Sequence, residues 1–95
     1  MFVHIFGFRW NVGTTEQDKA RARKEILAFR GAIPGLHAVN VGPNLSPRGQ
    51  GYEFAGLMTF ADRAAYEAYT THSLHMALLE WLVPLIEPVE LDFEA

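Results

Sequence analysis

The 95-residue chain contains no cysteine, which excludes disulfides, thiolate metal ligands and thiol redox chemistry. It has no apolar run approaching the roughly 20 residues of a membrane-spanning helix, so no membrane partner is expected. It also lacks an excess of positive charge: eight Lys and Arg stand against eleven Asp and Glu, for a net charge of −3. Most of the basic residues, Lys19, Arg21, Arg23, Lys24 and Arg30, fall on one predicted helix among acids. That pattern is a solvated helix face, not a nucleic-acid surface. The segment beginning Met1-Phe2-Val3-His4 carries no basic leader, so the expectation is a cytoplasmic protein. No phosphate-binding glycine loop, hydrolase carboxylate pair or Ser/His/Asp nucleophile pattern is present. What is abundant is apolar surface: 49% of residues are hydrophobic and 13% aromatic. Ninety-five residues form a single domain, 1–95, with one modest core, so part of that surface is expected in a subunit interface or around a cavity.

Phe2 to Trp10 reads as a strand that is apolar on both parities and hence covered on both faces. Thr14, with Gln17 three residues on, is the expected cap of a helix that carries Ala22, Ile26 and Phe29 and runs to about Arg30. Gly31 or Gly35, with Pro34 nearby, ends it. Strands follow at Leu36–Val41 and Tyr52–Phe60, joined by a long loop rich in glycine and proline. A second helix opens at Ala61-Asp62-Arg63 and runs to about Tyr69. Ser73 is the expected cap of a third helix, Leu74 to Val83. Pro84 and Pro88 precede a last strand, Val89 to Phe93, in which Val89, Leu91 and Phe93 alternate with Glu90, Asp92 and Glu94. The order β-α-β-β-α-α-β implies an α+β fold, a ferredoxin-like split βαβ sheet with helices on one face. Its bare face would need a partner, and two such faces together would close a barrel.

Titratable side chains concentrate in two places. Tyr69, His72 and His75 sit where a polar turn becomes a helix, and His4 lies on the aromatic parity of the first strand. Histidine can exchange protons near neutral pH, and tyrosine can donate to a developing oxyanion. In a split βαβ sheet the last strand lies beside the first, which brings Glu90 and Asp92 within reach of His4, with His75 a second possible neighbour. The bland alternatives are a core-packed His4, a Tyr69 that merely packs its ring, and histidines 72 and 75 that cap a helix or face solvent. His72 and His75 lack a third partner for a metal site, so no metal or cofactor is expected. Trp81, at helical spacing with Leu78 and Leu85, reads as core or pocket wall, Arg48 as a loop brace and His37 as surface.

The run Gly42-Pro43-Asn44-Leu45-Ser46-Pro47-Arg48-Gly49-Gln50-Gly51-Tyr52, followed by Tyr69-Thr70-Thr71-His72-Ser73-Leu74-His75, resembles the stress-responsive dimeric α/β-barrel (Dabb) family, from Val3 to about Phe93. The resemblance implies a homodimer whose sheet faces form an α/β barrel. One branch of that family, the plant polyketide cyclases that make olivetolic acid, uses a Tyr and a His in a pocket between sheet and helices. By the resemblance these correspond to Tyr69 and His75. The branch's first-strand His corresponds to His4, and its last-strand Asp, which orients the catalytic His, to Asp92. The chain departs at Ser73, where proline is common, and at Phe54, where the branch has a further pocket histidine. Two functions are therefore in play. The first is a homodimeric protein whose apolar pocket binds a small aromatic or carbonyl ligand with no assigned reaction. The second is a cofactor-free acid/base enzyme resembling polyketide cyclases, isomerases or decarboxylases. A cofactor-independent monooxygenase is a more distant third, because its hairpin and helix-start motifs differ.

Overall fold

The computed structural model describes all residues, Met1 to Ala95. Its elements in chain order are β1 (Phe2–Trp10), α1 (Glu16–Leu27), β2 (Leu36–Pro43), β3 (Phe54–Phe60), α2 (Arg63–Thr70), α3 (Ser73–Leu82), a 3-10 turn (Val83–Leu85) and β4 (Ile86–Glu94). The strands form one antiparallel sheet in the order β2-β3-β1-β4. β3 is inserted between β1 and β2, the two strands that α1 connects. This is the split βαβ arrangement, and the fold is ferredoxin-like.

Four of the boundaries that differ from the sequence reading, at both ends of α1 and at the starts of α3 and β4, show why. Thr15, not Thr14, caps α1 in a reciprocal box with Asp18, because the Thr14 hydroxyl is bonded to the Asn11 and Leu85 carbonyls where β1 ends. The helix stops at Leu27, and the following turns still bury Phe29 and Ile33 before Gly35, at φ +78°, opens β2. At α3 the cap is His72, whose Nδ1 accepts from the Leu74 N–H at 3.1 Å, and Ser73 is the first helical residue. β4 begins earlier than expected and takes Pro88 within it. An edge strand tolerates proline, since one side of its backbone has no partner.

Side-chain alternation divides the sheet into two unlike faces. Phe2, His4, Phe6 and Phe8 point toward the helices and pack with Val39, Phe54, Met58 and Phe60, all buried. The opposite face carries Ile5 between Leu57 and Leu91, with Val3 and Phe93 one pair along. Leu91 remains 61% exposed and Phe93 51%, so this apolar face has no cover within the chain. β4 is thus polarised in an unusual sense: Ile86 at its start joins the core, while Val89, Leu91 and Phe93 look away from it.

Gly56 decides how one aromatic lies. A Cβ there would fall 2.1 Å from Cζ of Phe6, so the Phe6 ring can lie over β3 only because residue 56 has no side chain. Gly56→Ala is expected to push that ring off its site at a cost of about 1–3 kcal/mol, as overpacked cores show. Thermal denaturation measures this. An unchanged melting temperature would mean that the ring swings aside freely.

Candidate functional site

Pairing of β1 with β4 sets His4 directly opposite Asp92. His4 is 4% exposed, and its Nδ1 lies 2.5 Å from Oδ1 of Asp92. A carboxylate only accepts, so this bond places a proton on Nδ1 and turns Nε2 toward Glu90, whose Oε1 is 3.9 Å away. Tyr66, from α2, donates to the other Asp92 oxygen at 3.4 Å and lies against His4 with ring centres 5.0 Å apart. One helical turn on, Tyr69 faces inward and is buried. His75 enters from the first turn of α3, its ring centre 4.3 Å from that of Tyr69. Its Nδ1 is 2.9 Å from the Thr70 carbonyl, which fixes the proton there and leaves the Nε2 lone pair free.

His4, Tyr69, His75 and Glu90 line one cavity of about 120 Å³ between sheet and helices. Its remaining wall is apolar, including Phe6, Phe8, Ile26, Leu78 and Ile86. Burial governs the protonation of this group. It pushes the Tyr69 hydroxyl well above its ordinary value, aided by the neighbouring Tyr66 and by Glu90. Tyr66 is pushed up to about 12, by burial first and then by the Asp92 and Glu90 carboxylates. Burial also lowers His75 below its usual value and outweighs the bond to Thr70, which acts in the opposite direction; His4 lowers it slightly and Glu90 raises it. Near neutral pH the cavity therefore presents a phenol that can donate and an imidazole that can accept.

Residues 2–95 match the stress responsive A/B barrel domain. The chain belongs to the Dabb family. Among solved structures, a dimeric ferredoxin-like protein of unknown function from Thermobifida fusca is 26% identical, with a TM-score of 0.86 over 99% of this chain and 90% of that one. A Dabb family protein with a ferredoxin-like fold from Mesorhizobium loti is also 26% identical, with a TM-score of 0.83 over 99% and 95% of the two chains. The hydroxynitrile lyase of Passiflora edulis is 16% identical, with a TM-score of 0.87 over 97% and 90%, and at that identity the likeness is one of fold. No curated protein matches the sequence.

In this Dabb domain, Tyr69, His75 and His4 converge on one cavity, whereas Asp92 reaches it only through His4. The expected contact between Asp92 and His75 is not made, because the start of α3 turns Nδ1 of His75 back onto α2. Trp81 is not part of the cavity wall. It is partly buried against the edge of the core, where its Nε1 donates to Glu25 at 3.2 Å and the Arg21 guanidinium covers its ring at 4.1 Å. Phe54 stacks on Phe8 with ring centres 5.3 Å apart and stands behind the wall. His37 is exposed and His72 is occupied by capping. Arg48 is exposed, and its N–H donates to the Ser46 hydroxyl within its own loop. No three His, Asp or Glu side chains are grouped to hold a metal ion, and no helix is long and apolar enough to cross a membrane. Sequence reasoning did not single out Tyr66. Its signal was the three-residue spacing to Tyr69, which puts both phenols on one helix face.

Proposed function

We propose that this Dabb protein is a homodimer, joined through the helix-free sheet face, whose cavity binds a small carbonyl compound. The observation that carries the reading is the meeting of Tyr69 and His75 on one apolar cavity, one as donor and the other as acceptor. A carbonyl oxygen would accept from the Tyr69 hydroxyl, and an adjacent C–H would face Nε2 of His75. The bare apolar face and the dimeric relatives of like fold support the assembly. Such an interface would bury on the order of 1,500 Å² in total.

The tautomer of His75 favours a second, stronger reading, in which the bound compound is turned over by proton transfer. His75 would remove a proton α to the carbonyl, and Tyr69 would stabilise the enolate oxygen. The cavity, at about 120 Å³, is well below the roughly 300–1,000 Å³ of common ligand pockets. That size favours an isomerase-like proton transfer on a compact neutral molecule over cyclisation of a long polyketide or decarboxylation of an acid, so the polyketide-cyclase likeness is taken to extend to the groups and not to the substrate.

The test uses the intact protein and a panel of aldehydes and ketones of four to seven heavy atoms in D₂O. Proton NMR should show hydrogen–deuterium exchange at the α-carbon of at least one compound, above the buffer rate, with shifts in the His75 and Tyr69 ring signals. Shifts without exchange would leave the binding reading alone standing. If no compound moves either ring, the pocket assignment fails.

A further inference from the structure

Glu90 has no part in the acid/base pair, yet its position controls the electrostatics of the cavity. It contributes the one carboxylate of the lining, and no lysine or arginine lines the space. Behind His4 stands a second carboxylate, Asp92, bonded to the far side of the ring. The cations of nearby elements are directed elsewhere. Arg9 lies on the other sheet face, over the Tyr52 ring and 3.7 Å from Glu87, and Arg21 is paired with Glu25 beyond Trp81. His75 is neutral near pH 7, and the two tyrosines keep their protons. Two carboxylates thus face at most one imidazolium, that of His4, so the site is negative whether or not His4 is charged. Low-dielectric walls focus such a field on whatever occupies the cavity.

We propose that Glu90 sets the charge class of the ligand, admitting small neutral carbonyl compounds and rejecting those that carry a carboxylate, such as 2-oxo acids. The proposal rests on the carbonyl-binding reading given above. Size sharpens the class: an apolar protein cavity of about 150 Å³ accommodates benzene, so the 120 Å³ found here holds a guest of similar or slightly smaller bulk. The Glu90 side chain is 60% exposed, which places it in contact with solvent and softens its field. The discrimination it supplies is therefore a matter of about one decade, not many.

Pyruvamide and pyruvate test this directly, since they share shape and heavy-atom count and differ in charge. Titrations of each into the full-length protein, followed by the His75 and Tyr69 ring signals, should show pyruvamide binding about tenfold or more tightly. In Glu90→Gln the gap should narrow to about threefold or less. Raising the ionic strength should shrink it in the unaltered protein, a check that does not depend on the folding of the variant. Equal affinity for the two compounds would overturn the charge filter and leave the carbonyl pocket intact. A gap that survives both Glu90→Gln and high salt would take the role away from Glu90. If neither compound moves the rings, the pocket reading falls and the filter falls with it.

Discussion

Ile5→Asp is expected to release 10.7 kDa monomers from the proposed dimer and to lower the melting temperature. Ile5 occupies the middle of the helix-free face, directly opposite Leu57 on one side and Leu91 on the other. In a lone subunit this position is partly exposed, so an aspartate there can reach water and the domain can still fold. In a sheet-to-sheet dimer the same carboxylate is stripped of water among leucines. An uncompensated buried charge costs several kcal/mol, enough to overcome a standard interface. Light scattering on the variant and on the unaltered protein makes the measurement, with Val12→Asp as a control at a fully exposed loop position. A monomeric unaltered protein at micromolar concentration would remove the interface altogether. A dimeric Ile5→Asp would place the interface on some other surface.

The fold was legible because its signals are periodic. β1 is apolar on both parities, and the sheet gives each parity a use: Phe2, Phe6 and Phe8 build the core, while Val3 and Ile5 belong to the helix-free face, Val3 already buried there beside Phe93. The alternation in β4 was equally clear, but its sense follows only from the register, which sets Val89, Leu91 and Phe93 beside Gly7, Ile5 and Val3. The same register made the His4–Asp92 pair accessible from strand order alone.

What the sequence could not supply was set by tertiary packing. Which of Thr14 and Thr15 caps α1 depends on a carbonyl of Leu85, some seventy residues away. The partner of His75 depends on the angle at which α3 leaves α2, and spacing does not encode that angle. Trp81 shared a helical stripe with Leu78 and does pack at the edge of the core, but its indole N–H and ring face are also taken up by Glu25 and Arg21 on α1, a contact between helices that spacing does not encode. The cavity depends on the Phe6 ring lying over Gly56, a matter of close packing invisible to any periodicity.

His75→Ala should lower the exchange rate of a competent carbonyl compound by about two to four decades, the usual loss when a positioned acid or base is removed. The fold should survive, because His75 is only partly buried and its one hydrogen bond runs to the nearby end of α2. The pH profile gives the sign. The active form is the neutral imidazole, and burial holds its pKa in the folded protein below the ordinary histidine value. The rate should therefore be flat through neutrality and fall only as the solution becomes acidic enough to protonate His75 in place. On the alkaline side no loss is expected up to pH 10, since Tyr69 is held protonated well above that value. Tyr69→Phe should slow exchange without moving the acid limb, because it removes the donor to the enolate and leaves the base. Asp92→Asn serves as the discriminating comparison. Its bond is to His4 and not to His75, so its effect should be smaller than that of His75→Ala, with the acid limb little displaced. Were Asp92→Asn to cost as much as His75→Ala, Nε2 of His4 would be the atom that takes up the α-proton, with Tyr69 still donating to the enolate oxygen.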